Sequence, residues 1–237
     1  MQDAHLHLTR LPHASEIAGY LKSVTGYSMV SSACTREEWS ALEKLLEINS
    51  ENLFPAFGIH PEAAARDQNF EAELRRLLEK YPEARVGECG LDKRYPGYEA
   101  GGLQEKILKP QIRLAAEYKR PLVIHIVGDY RRIFEILSEC GFPSPEVPVI
   151  FHRFGGDAEI LTRIQEIQGM VSVHRSSLQK ESTRNALKKA GKISVCYETD
   201  ADENFIATHF DRIPTAPEIL KKLQETLKET EKEFARL

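Results

Sequence analysis

Short apolar runs alternate along this chain with longer stretches whose apolar residues recur every third or fourth position, the period of a helix with one buried face. The runs predict strands at the opening residues through His7 and over 27–32, 53–59, 84–88, 121–125, 147–152, 169–173 and 193–198. The run at 121–125 is apolar until its closing histidine, as strands covered on both faces are. Between the runs, helices are predicted over 15–23, from Thr35 onward, and over 69–80, 103–118, 130–140, 157–168, 182–190 and 215–237. Ser15 and Asp157 read as N-caps, and Thr35 with Glu38 reads as a capping box. Pro110 predicts a kink or break in its helix. The glycine- and tyrosine-rich stretch 91–102 predicts a loop. The segment 215–237 sets Leu220, Leu223, Leu227 and Phe234 on one stripe of a Lys/Glu-rich amphipathic helix.

Eight strands alternating with helices, with no linker and no internal repeat, predict an α/β fold: a TIM-type (β/α)8 barrel forming a single domain over 1–237. A doubly wound open sheet shares the alternation, but no glycine-rich phosphate loop follows the first strand. A length of 237 residues, 41% of them hydrophobic and 29% charged, suits a soluble domain with a sizeable core. The net charge of −4 gives no strong basic surface for nucleic acid, although a local phosphate pocket remains compatible with it. Cys34, Cys89, Cys140 and Cys196 lack a CxxC spacing and read as reduced thiols of a cytoplasmic protein. No apolar signal region and no run of membrane-span length is present, so no membrane partner is expected. Oligomeric state is not written in the pattern.

The candidate chemistry lies at the strand ends. His5 and His7 are two apart on a strand and therefore share a face, an arrangement suited to Zn, Mn or Fe. In a barrel, functional residues gather where strands end and βα loops begin. The ionisable residues there are His5, His7, His60, Glu88, His125, His152, His174 and Asp200, which include six of the chain's eight histidines. Strands one, four, five, six and eight would bring theirs to one axial point, enough for one metal or a pair sharing a bridge.

Asp3-Ala-His5-Leu-His7, Gly58-Ile-His60-Pro61, Gly87-Glu88-Cys-Gly90-Leu-Asp92, Gln104 and Gln111, Pro121-Leu-Val-Ile-His125, His152-Arg-Phe154-Gly-Gly156 and Glu198-Thr-Asp200-Ala201 follow one another here. Their order resembles the TatD family, metal-dependent hydrolases of the amidohydrolase superfamily described mostly as DNases. The resemblance covers 2–201. It implies one or two divalent metal ions (Zn, Mg or Mn), with His5, His7 and Asp200 on one, His125 and His152 on the other, and Glu88 bridging. Asp200 would then accept the proton of an activated water, and Glu88 would share the catalytic centre. His60 would touch substrate or leaving group, or else serve packing. Asp3 would support the ligand histidines or fix its loop, and Glu198 would do likewise. His174 matches no motif and reads as structural.

Two departures concern the substrate. The family's arginine two residues past the fifth-strand histidine is Val127 here, and Ala201-Asp202 replaces Ala-Pro, with no later Asn-Glu-Pro. Arg153, Arg175, Lys93 and Arg94 are the candidate replacements for binding phosphate. The expected reaction is phosphodiester hydrolysis on a DNA end or a small phosphoester. Hydrolysis of an amide, ester or lactone on the same site is the alternative. A metal-binding barrel without catalysis is the next, and a pure nucleic-acid-binding module fits the acidic charge least.

Overall fold

The computed structural model describes residues 1–189 and 193–237. Within them, eight parallel strands follow the chain in order, each paired with the next. They are β1 (Gln2–Leu6), β2 (Ser28–Ala33), β3 (Leu53–Phe57), β4 (Arg85–Asp92), β5 (Leu122–Val127), β6 (Val149–Phe151), β7 (Met170–Val173) and β8 (Ser194–Tyr197). Among the described residues no ladder joins β8 to β1, and residues 199–201, just past β8, close the ring onto β1. His7 N–H donates to Ala201 O at 2.8 Å, Asp200 N–H donates to His5 O at 3.0 Å, and Asp3 accepts both the N–H and the hydroxyl of Thr199. A parallel strand order with intervening helices and a closed ring is the (β/α)8 barrel.

The helices follow from amphipathic stretches: α1 (Ala14–Leu21), α2 (Arg36–Ile48), α3 (Glu71–Lys80), α4 (Leu103–Glu117), α5 (Tyr130–Glu139), α6 (Ala158–Glu166), α7 (Arg175–Gln179), α8 (Glu181–Lys188), α9 (Glu203–His209) and α10 (Ala216–Phe234). Thr35 caps α2 by accepting from Glu38 N–H, but the Glu38 carboxylate takes Cys34 N–H and Arg10 instead of closing a capping box. A complete capping box does form at Thr215 and Glu218, starting α10. Asp157 caps α6 as expected.

Three expectations are corrected, and of the kink or break expected at Pro110 the break is excluded. The cap of α1 is His13, not Ser15, and His13 holds a left-handed φ of 59° without a side-chain bond. The stretch beginning at Leu91 is strand as far as Asp92. Pro110 stands inside α4 and does not end it. The helices α7 and α9 were not expected at all. The helix end placed at residue 190 lies outside the described residues.

The way α4 survives its proline is tied to the barrel mouth. Gln104 Oε1 accepts from Asp92 N–H at 2.8 Å while its amide donates to Asp92 O at 3.0 Å. Gln111 makes the same two-way bond with Ile59, at 2.7 and 3.2 Å. Both glutamines are buried. These amide clamps, with Leu108 and Ile112 packed in the core, offset the one helix bond that proline removes.

Candidate metal centre

Glu88 is the hub of the mouth. Its Oε1 faces His125 Nδ1 at 2.6 Å and His152 Nε2 at 2.8 Å. Its Oε2 faces His5 Nε2 at 3.2 Å and His7 Nε2 at 3.4 Å. Asp200 Oδ1 closes the second group, 3.7 Å from His5 Nε2 and 3.5 Å from His7 Nε2. The six residues read from the sequence as ligands are therefore brought together, in two groups on either side of one carboxylate. Register irregularities fall where this geometry is made, between Asp3 and Leu6 of β1 and between Val86 and Cys89 of β4. Such bulges re-aim side chains next to functional sites.

Two glycines let the strands close in here. A Cβ on Gly90 would stand 1.8 Å from His125 O, and one on Gly87, whose φ is +137°, would stand 2.5 Å from Val123 O. Gly87 needs glycine for both its left-handed φ and the close backbone, Gly90 for the close backbone alone.

Each of the four histidines has its other ring nitrogen against a different partner. His5 Nδ1 meets Ser32 Oγ at 3.1 Å, and His125 Nε2 meets Asp92 Oδ2 at 2.9 Å. His152 Nδ1 lies 3.4 Å from Glu198 Oε1, and His7 Nδ1 lies 3.8 Å from Cys34 Sγ. Outer partners of this kind fix which nitrogen is aimed inward. Glu198 is itself held by the Ser172 hydroxyl. Asp3 does not reach a histidine ring. It accepts backbone N–H from His5 and both bonds from Thr199, so of its two proposed roles it fills the one that fixes the loop.

Burial penalises every charge here, and neighbours decide the outcome. For Glu88, burial raises the pKa, but the positive field of His152, His125 and His5 outweighs it and holds the carboxyl well below its usual range. Asp200 is likewise held low against burial, by its hydrogen bond with His7 and by His152 and His5. His152 is pushed up despite burial, because Glu88 and Glu198 flank it. His5 is pushed down by burial and by repulsion from His152. Burial lifts Asp3 to about 7 against its Thr199 hydrogen bonds.

The donor set fits a divalent cation. His5, His7 and Asp200 offer donor atoms all within 4.8 Å of one another, as do His5, Glu88 and His152, and His60, Glu88 and His125. Imidazole nitrogens around a shared carboxylate, with the outer nitrogens of His5 and His125 hydrogen-bonded and that of His152 facing Glu198 without a hydrogen bond, are the chemistry of Zn and Mn sites. His60 stands at the rim. Its Nδ1 accepts from Glu62 N–H, so the neutral ring carries its hydrogen on Nε2, which points toward Glu88 at 3.8 Å. Burial lowers its pKa to about 3, which keeps it neutral.

A cleft of about 260 Å³ opens over the cluster, with Arg10, Arg94 and Arg153 around it. Arg153 Nη1 donates to Asp200 Oδ2 at 2.6 Å. Both residues hold left-handed φ values, 45° and 48°. Arg94 forks onto Asp92, extending the line that ends on His125. Arg175 points away, to Glu229. His174 caps α7 through Ser176 N–H. Asp92, Ser32, Cys34 and Arg10 had no assigned role in the sequence. Only Asp92 carried a signal, as the last residue of Gly87-Glu-Cys-Gly-Leu-Asp.

A parallel barrel whose strand ends converge on buried histidines and carboxylates is the build of the metal-dependent hydrolases. This chain belongs to the TatD-related DNase family, whose sequence profile matches residues 2–237. It is 26% identical over 246 residues to YjjV of Escherichia coli, described as an uncharacterized metal-dependent hydrolase, covering 98% of this chain and 91% of that protein. It is 30% identical over 169 residues to the 3'-5' ssDNA/RNA exonuclease TatD of Pantoea ananatis, covering 68% and 63%. An uncharacterized metal-dependent hydrolase of Methanocaldococcus jannaschii is 26% identical over 152 residues, covering 63% and 57%. The matches thus span less than two thirds of the length of the last two relatives. The crystal structure of YjjV shares the fold, with a TM-score of 0.77 over 97% of this chain and 90% of its own, at 23% identity.

Proposed function

We propose that this chain hydrolyses phosphodiester bonds, on a nucleic-acid end or a small phosphoester, as one barrel unit over 1–237. The carrying observation is Glu88, whose two oxygens face two separate donor groups. His5, His7 and Asp200 would hold one divalent cation and His125 and His152 a second, with Glu88 common to both. The nitrogen-rich set favours Zn or Mn over Mg. Bound there, such cations supply an activated water and charge neutralisation of the phosphoryl group.

The chain's own residues then have separable tasks. Asp200, whose Oδ2 accepts from Arg153 Nη1, is the proton acceptor, and Arg153 lies where it can take a phosphate oxygen. His60, neutral and hydrogen-bearing at Nε2, donates toward the leaving oxygen. The Pantoea relative, named as a 3'-5' exonuclease, supports phosphodiester over amide or lactone chemistry.

The test is hydrolysis of bis(p-nitrophenyl) phosphate and of end-labelled oligonucleotides by chelator-stripped protein resupplied with Zn, Mn or Mg. We expect activity that chelation removes, that Zn or Mn restores best, and that Glu88→Gln and Asp200→Asn each lower at least about a hundredfold. Metal-loaded protein that cleaves no phosphoester in the panel would overturn the reading.

A further inference from the structure

The seventh strand contributes none of the six candidate ligands, yet its end is built toward the mouth. Ser172 and His174 are two apart on extended backbone and so share a face, and Ser176 follows in the first turn of α7. Arg153 N–H donates to the Ser172 hydroxyl at 3.3 Å, at the point where Arg153 holds its left-handed φ of 45°. Arg153 Nε–H donates to Ser176 Oγ at 3.4 Å. Ser176 N–H donates to His174 Nδ1 at 3.1 Å, so that nitrogen carries no hydrogen. The Ser176 hydroxyl, 2.7 Å from the same nitrogen, is therefore the donor of their second contact. Burial and the charge of Arg153 hold His174 below its ordinary pKa, which keeps the ring neutral and Nδ1 open as an acceptor.

The consequence falls on Arg153. Its side chain is half-exposed, and a long side chain open to solvent samples many rotamers unless it is anchored. Here two of the three guanidinium nitrogens are fixed, Nη1 on Asp200 and Nε on Ser176, and Nη2 is left to donate. Arg153 lines the cleft over the metal cluster and two clefts that adjoin it, so the residue stands where three openings meet. We infer that His174 and Ser176 are positioning residues for Arg153: the imidazole fixes the rotor of the Ser176 hydroxyl, the hydroxyl fixes Nε, and the guanidinium is thereby held to meet a phosphate oxygen. The inference rests on the phosphodiester reading, in which Arg153 takes that oxygen, and deepens it. It also gives a task to His174 that capping alone does not require, since Ser, Thr, Asp or Asn is the ordinary choice for a helix cap.

The experiment titrates metal-loaded full-length protein calorimetrically with inorganic phosphate and follows hydrolysis of bis(p-nitrophenyl) phosphate. It compares wild type, Ser176→Ala, Ser176→Thr and His174→Ala, each alone and with Arg153→Met. Ser176→Ala leaves the cap on its own N–H in place, and circular dichroism and melting check that every variant folds. It should weaken phosphate binding about three- to tenfold and raise KM by the same factor, with kcat within about twofold. Ser176→Thr, which keeps the hydroxyl, should recover most of the loss. His174→Ala should cost about as much as Ser176→Ala, and the two together little more than either, because both act through one hydroxyl. With Arg153→Met, none of these substitutions should change phosphate affinity by more than about twofold. A merely structural role, or direct contact of Ser176 with phosphate, would carry the loss into that background undiminished. Phosphate binding absent from wild type, unchanged in folded Ser176→Ala, or lost equally with Arg153→Met overturns the assignment. If that happens while bis(p-nitrophenyl) phosphate is still cleaved, the positioning role alone is lost. If no phosphoester is cleaved, the parent reading falls and the positioning role with it.

Discussion

The four histidines around Glu88 are not equivalently supported. His125 leans on Asp92, a buried carboxylate itself gripped by the Arg94 guanidinium, whereas His7 has only a sulfur at 3.8 Å. A charged hydrogen bond orients a ring far more firmly than a long contact to a thiol. Replacing Asp92 by Ala should therefore weaken metal binding by about 10–100-fold. Cys34→Ser should change it by only a few-fold. Competition with a chromophoric chelator reads both, and similar losses in the two variants would mean that ring orientation is not set by these partners. The candidate ligands themselves were legible because histidine and carboxylate at strand ends have few structural uses in such number. Their outer partners were not, because Ser32, Cys34 and Asp92 become partners only once ring rotation and strand bulges are fixed in three dimensions.

Among the elements, the long apolar strands and the amphipathic helices stood out in the sequence, because burial on one or both faces leaves a period that survives local irregularity. The misses have a common cause. Leu91 and Asp92 read as the start of a loop, yet they are strand, with the Gln104 amide clamped on Asp92 and the glycines of β4 letting β5 approach. The short helices α7 and α9 bury too few residues to show a period. Helix packing also sets an acid-sensitive contact. Glu43 on α2 accepts from Arg76 at 2.7 Å and from Lys80 at 2.9 Å, both on α3, and these bonds, led by Arg76, pull its pKa to about 2. A carboxyl whose pKa is lower when folded stabilises fully above its unfolded value of about 4.5 and loses that contribution as pH falls toward 2. Its partners are exposed, so the contribution at neutral pH is about 1 kcal/mol. Urea midpoints of wild type and Glu43→Gln should differ at pH 7 and converge as the pH drops below about 4. A gap that stays constant down to pH 3 would show that Glu43 acts through packing, not charge.

For the whole molecule, the cluster couples strands that are far apart in sequence, β1, β4, β5 and β6 together with the turn after β8, across the seam where the barrel closes. Without a cation, that point concentrates two carboxylates and four imidazoles in a buried space, compensated by proton sharing and by Arg153 on Asp200. A cation held there binds the folded barrel and not the unfolded chain, so it must stabilise the fold in proportion to its occupancy. At a free concentration about 100 times its dissociation constant the gain is about 2.7 kcal/mol. For a chain of this length each kcal/mol moves the melting temperature by about 2–4 °C, so saturating Zn or Mn should raise it by roughly 5–10 °C. The rise should grow with the logarithm of free metal, reverse on chelation, and shrink sharply in Glu88→Gln, which weakens the bridge between the two donor groups. Differential scanning calorimetry across a series of buffered metal concentrations measures all three. A melting temperature that ignores metal while the protein binds it stoichiometrically would place the ion outside the seam, and the six-residue assignment would have to be abandoned.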